Sequence, residues 1–192
     1  MKKIMVLLKK PFALVMICAL LSMALIAAVP VDDVYAEIES EPEFMLTDEH
    51  EESGVYRFFY GLLSRTFFYQ KHMVDYLDQN VEQADNVAAN AQLRIVELED
   101  EGKDVAALET ALDTFYDLVA DAEQALDAAN GSISLHKGFD EDSKVSDLTL
   151  ARDTIKELEG YISTARDSII EAVRAIVDGM QEYRDINQPV EE

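Results

Sequence analysis

Cysteine is almost absent from this chain of 192 residues: the only one, Cys18, falls inside an apolar run near the start. No disulfide can staple the fold, although the compartment inferred below would permit one. Ile17 stands where lipid attachment to a cysteine needs a small residue, so attachment at Cys18 is not expected. Cations are the second scarcity, with 16 Lys+Arg against 39 Asp+Glu and a net charge of −23. Binding a polyanion requires a basic stripe that releases counterions, and no such cluster exists, which excludes nucleic acid as a partner. Anionic lipid headgroups are disfavoured on the same ground. Histidine is third: only His50, His72 and His136 occur. A three-His metal site in the folded body is excluded, and a mixed site would have to join His72 and His136 to Asp75 or Asp140. His72 falls off the apolar stripe, so the two rings diverge, and His136 is expected buried and hydrogen-bonded near Tyr69. No glycine-rich phosphate loop and no nucleophile–base–acid set can be read. The chain is expected to be no enzyme and to carry neither metal nor cofactor.

What is present begins with Lys2, Lys3, Lys9 and Lys10, after which no charge appears until Asp32. A basic start before an apolar run from Phe12 to Val29 fits a secretory signal peptide, with Val34-Tyr35-Ala36 offering a cleavage site after Ala36. Residues 1–36 are therefore read as a signal peptide. The run is also long enough for residues 11–31 to act as an uncleaved anchor across about 30 Å of hydrocarbon. In either case the chain after Asp32 lies outside the cytoplasm, secreted, periplasmic or on the cell surface. The membrane is a partner only if the segment stays uncleaved. Residues 37–192 keep 12 Lys+Arg against 37 Asp+Glu, a surplus expected on solvated outer helix faces.

Residues 37–54 are acidic, contain Pro42 and lack periodicity, which predicts a flexible leader. Beyond it the apolar spacing alternates three and four. Met73, Leu77, Val81, Ala84, Ala88, Ala91, Ile95 and Leu98 mark a helix over 55–101. Gly102 stops it and Asp104 caps the next, predicted over 104–137, whose stripe runs from Val105 through Leu112, Phe115, Val119 and Leu126 to His136. The register continues through Asn130-Gly131, so the helix is expected to pass them and end at Gly138. Ser146 is the expected cap of a third helix over 146–186, whose stripe runs from Leu148 through Ala151, Ile155, Leu158, Ile162, Ala165, Ile169, Ala172, Ile176 and Met180 to Tyr183. Residues 188–192 form a tail. Such stripes keep one partner face only when helices run lengthwise together, so the fold class is all-α: an antiparallel, up-down-up, coiled-coil-like three-helix bundle over 55–187. Its alanine-rich seam leaves little room for an enclosed cavity.

Two aromatic triplets nine residues apart, Phe58-Phe59-Tyr60 and Phe67-Phe68-Tyr69, are the densest feature outside the repeat. Nine residues is 2.5 turns, so the sets point to opposite sides and cannot share one seam. Phe58, Phe59, Phe67, Phe68 and Tyr69 are thus a candidate interaction surface for a partner helix, a client chain or acyl groups. The competing reading takes Tyr69 as lying opposite His136 and packs the aromatics on Ile133, Leu135 and Phe139. The loop Gly138-Phe139-Asp140-Glu141-Asp142-Ser143-Lys144 resembles a calcium loop only superficially, since counting from Asp140 puts Lys144 fifth and Val145 where glycine belongs.

The stretch from Leu98 onward, with Glu101-Gly102-Lys103-Asp104-Val105 leading into an Ala/Leu helix and His136-Lys137-Gly138-Phe139-Asp140 before the last helix, resembles exported bacterial helical proteins that carry no assigned function. The resemblance covers about half of the chain after the signal and implies the helical fold, but no activity or site. Small periplasmic helical chaperones offer an architectural analogy. The expected function is a non-catalytic structural or protein-interaction module, by partner binding or self-association. The alternative is a client-holding chaperone or apolar-ligand carrier that uses the Phe-rich start of the first helix. Cation buffering by the carboxylates is a third reading.

Overall fold

The computed structural model describes residues 54–187. The segment read as signal peptide, residues 37–53 of the acidic leader, and the tail 188–192 lie outside the described residues. Three helices make up the rest: α1 (Gly54–Asp100), α2 (Ala106–Leu135) and α3 (Leu148–Ile186). The protein is all-α, a helical bundle; among the described residues the only extended pairing is an isolated bridge between Phe139 and Val145. None of these helices is long and apolar enough to cross a membrane.

The chain divides into two compact units, each taking a segment from all three helices. The described residues of one are 78–124 and 165–187, which include the α1–α2 turn; those of the other are 54–77 and 125–164, which include the α2–α3 loop. They are called here the turn unit and the loop unit.

In the turn unit, α1 ends because Gly102 takes a left-handed conformation, φ +76°. Its N–H donates to the Glu99 carbonyl at 2.7 Å and the Lys103 N–H reaches back to Leu98 at 3.1 Å, which satisfies carbonyls that a helix end leaves bare. Asp104 acts as foreseen: its Oδ1 accepts from the Ala106 N–H at 3.2 Å and so starts α2. The buried side chains are small or medium: Ala84, Ala88, Ala122 and Ala172 alternate with Val81, Ile95, Leu112, Ile169 and Ile176, with Phe115 the one buried ring. Gly179 permits a close approach of α3 to α2, since a Cβ there would lie 2.4 Å from the Ala111 Cβ and 3.0 Å from the Ala107 carbonyl oxygen.

In the loop unit, α2 passes through Asn130-Gly131 as expected but ends at Leu135, before Gly138. His136 has φ +34°, its N–H shared between the carbonyls of Ser132 and Ile133, and that left-handed step takes it out of the helix. The loop is closed by one carboxylate. Asp140 Oδ1 accepts from the N–H groups of Asp142 at 3.0 Å and Lys144 at 2.8 Å, while the Asp140 N–H donates to the Lys144 carbonyl at 2.8 Å. Gly138, φ +81°, must be glycine, because a Cβ would lie 2.1 Å from the Ala151 nitrogen.

The cap of α3 is Asp147, one residue beyond the expected Ser146. Asp147 Oδ1 accepts from the Leu150 N–H at 2.9 Å. Ser146 instead spends its own N–H on the Gly138 carbonyl, which keeps it in the loop.

The core register of α1 corrects the sequence reading in one place. Met73 is only half-buried, whereas Gln70 and Val74 are fully buried. The continuous stripe is Leu63, Phe67, Gln70, Val74, Leu77, Val81, Ala84, Ala88, Ala91, Ile95 and Leu98, an unbroken alternation of four and three. Gln70 belongs in it because its Nε2 donates to the Ile155 carbonyl oxygen at 3.0 Å. Each of the other buried polar groups mentioned here also has a partner: Thr154 Oγ1 donates to the Lys137 carbonyl at 2.9 Å and Ser132 Oγ to Glu157 at 3.2 Å.

Candidate functional site

The aromatic stretch at the start of α1 is split by the helix itself. Phe67 is buried at 1 % exposure and stacks on Phe139, with centroids 4.0 Å apart and planes 7° from parallel. It belongs to the core and not to any surface. Phe58 and Phe68 are 63 % and 57 % exposed, Tyr69 is 41 % exposed and Phe59 half-buried. Of the packing expected on Ile133, Leu135 and Phe139, the structure shows Phe67 stacked on Phe139. Leu135 is itself exposed, because α2 ends there and turns away through His136.

The exposed rings form a pattern of their own. Phe58, Arg65, Phe68 and His72 follow one another at intervals of seven, three and four residues, so they occupy one side of α1. At about 100° per residue that side lies opposite the stripe of Leu63, Phe67, Gln70 and Val74. The Phe68 and His72 rings meet edge to face at 4.3 Å, and Phe58 contacts Phe59 in the same way at 5.9 Å. Gly61, on the same side, has nothing within 4 Å of where a Cβ would stand. The loop unit thus carries a second stripe, apolar at intervals and turned to solvent.

His136 departs from expectation in burial, whereas His72 lies off the core stripe as its spacing implies. His136 is exposed rather than buried, its Nδ1 lying 3.0 Å from the Ser134 carbonyl oxygen, and His72 is exposed against Phe68. Among the described residues no group of three or more His, Cys, Asp and Glu side chains stands close enough to hold a metal.

The turn unit contains a feature the sequence reading missed, an open groove of about 800 Å³. Its floor is apolar: Ile95 and Leu98 of α1, Leu108 and Leu112 of α2, Ile176 and Met180 of α3. Leu93, 67 % exposed, forms a lip where a solvated helix face would carry a polar residue. Arg94, Lys103 and Arg184 line it together with Glu97 and Glu101. One end is held by Asn187, whose side-chain amide pairs with the backbone of Asp104: Nδ2 donates to the carbonyl at 2.9 Å and Oδ1 accepts from the N–H at 3.2 Å. The spacing of apolar residues locates stripes, but a gap between side chains depends on helix separation. The one available signal was Leu93, an apolar residue off its stripe.

Displaced ionisation among the described residues is seen at Lys144 and Tyr161, which lie away from the stripe and the groove. The Lys144 ammonium is held above its ordinary value by its hydrogen bond to Asp142 and then by the charges of Asp142 and Asp140. The Tyr161 hydroxyl is raised chiefly by donating to Glu157 at 3.2 Å.

Fold and features together define an all-α helical bundle with an outward aromatic stripe in one unit and an apolar groove in the other. Comparison with protein-family models, with characterised proteins and with solved structures finds no match for this chain.

Proposed function

We propose that this protein is an exported, non-catalytic interaction module in which three helices of alternating direction present the outward stripe of α1 to a partner helix or to a second copy. The observation that carries the reading is the exposure of Phe58 and Phe68 opposite a complete core stripe. Both rings are mostly exposed, so α1 carries apolar surface opposite its core stripe that its own bundle does not cover. The acidic remainder of the surface opposes indiscriminate self-association and leaves the stripe as the place where contact is favourable. Export rests on the basic and apolar start of the chain. Kinship with exported helical bacterial proteins of unassigned function is proposed with it.

The test is site-directed photocrosslinking in the full chain. A photoreactive phenylalanine analogue at position 68 should give discrete adducts in the native envelope, and the same analogue at exposed Asp113 should not. Equal adduct yields at both positions would count against the reading. The apolar-ligand carrier, the second reading, is favoured by a different observation, the groove of the turn unit.

A further inference from the structure

We infer that the groove of the turn unit binds a free long-chain carboxylate, with the alkyl chain along the apolar floor and the head at Lys103 and Arg184. A volume of about 800 Å³ falls within the range of small-molecule sites, roughly 300–1,000 Å³, and its lining has the usual composition of such sites, mostly apolar with a few charges. The charges choose the head. In a chain of net charge −23 this lining carries three cations, Arg94, Lys103 and Arg184, against two acids, Glu97 and Glu101. Glu97 is engaged by Arg94 at 2.6 Å. Among the described residues neither Lys103 nor Arg184 forms an ion pair, which leaves a point charge and a planar two-donor fork facing the same groove.

Global and local charge make opposite predictions here. The whole chain attracts cationic amphiphiles, whereas the groove selects an anion. The same global charge repels an anionic bilayer surface, so the occupant is a free acid and not a membrane-resident lipid. The site is also pre-formed. Gly102 fixes the backbone that carries Lys103, and the Asn187 amide pins the end of α3, next to Arg184, to Asp104.

The experiment is displacement of a fluorescent polyene fatty acid from the full chain by hexadecanoate, with hexadecanol and hexadecyltrimethylammonium as controls. The expected result is saturable one-to-one displacement by hexadecanoate alone. Lys103→Glu combined with Arg184→Glu should weaken it by about tenfold or more, the size of one charge-assisted contact. Leu93→Glu should weaken it comparably by putting a charge on the lip. Because both variants share the apolar start of the chain with the parent, any binding there cancels. Should the charge-reversal pair lose helicity, Lys103→Gln with Arg184→Gln replaces it and must show the same direction. Absence of saturable displacement, equal affinity for hexadecanol, or unchanged affinity in a folded charge variant would each overturn the assignment. Phe58→Ser with Phe68→Ser leaves this binding unchanged, so failure here and failure of the interaction-module reading are told apart.

Discussion

The loop unit and the turn unit solve the same packing problem with different side chains. In the loop unit the core is large and partly polar: Phe67 stacks on Phe139, and Gln70, Thr154 and Ser132 are buried with hydrogen-bond partners. In the turn unit it is smaller and, Asn80 apart, apolar, with alanines through the seam and Gly179 against Ala111. Large side chains fill the space between helices, and the apolar groups left over go to the outside of α1. Small side chains bring two helices into contact at Gly179 and leave part of the apolar floor uncovered as a groove. The difference teaches that surplus hydrophobicity has two outlets, an outward stripe or an inward gap, and that each marks a different kind of partner.

The sharpest way to break the comparison is at Phe67. Phe67→Ala removes a fully buried ring and its stacking contact with Phe139, and should cost about 3–5 kcal/mol in chemical denaturation. Next is Gly179→Ala. The added methyl meets Ala111 at 2.4 Å, so the helices must part, costing about 1–3 kcal/mol, and Ala111→Gly in the same chain should recover much of that loss. Failure of the second change to rescue the first would mean that the approach of α2 and α3 is not set by this pair.

Smaller effects separate polar fastening from packing. Asn187→Ala removes two hydrogen bonds to the Asp104 backbone and should cost about 1 kcal/mol by thermal melting, since the groups are exposed and water replaces them. Phe58→Ser with Phe68→Ser should change stability by only about 0.5 kcal/mol, as expected of exposed sites.

The smallest effect concerns pH. Lys144 and Tyr161 both have raised folded-state values, so whatever they contribute is fully present below the unfolded values of 10.5 and 10.0 and is lost only as pH rises through the folded ones. Lys144 is exposed and Tyr161 half-buried. Asp142→Asn should return the Lys144 titration, followed by the Cε chemical shift, toward 10.5, while melting temperature stays unchanged near neutral pH.

Much of the fold is legible in the spacing of apolar residues because helix periodicity reports burial directly. Ala151, Ile155, Leu158, Ile162, Ala165, Ile169, Ala172 and Ile176 are all buried, as the stripe of α3 implies. The stripe of α1 is masked where Gln70 occupies a core position: a polar residue there reads as an outward one, and the apolar spacing points to Met73 instead of Val74. Continued back through Gln70, the alternation of four and three reaches Phe67 and Leu63 and divides the Phe-rich stretch correctly. The end of α2 and the cap of α3 depended on hydrogen bonds to Gly138 and on the left-handed turn at His136, neither of which periodicity records. The groove was illegible because it is made of the distance between helices.

The most direct measurement sets Phe67→Ser beside Phe58→Ser/Phe68→Ser in the full chain, following helicity by circular dichroism and assembly by light scattering. The account predicts that Phe67→Ser loses helicity and melts early, while the double variant keeps the parent's helicity and melting temperature and loses only its association with partner or copy. Equal loss of helicity in both would contradict it, since Phe58 and Phe68 would then be core and α1 would have no outward stripe.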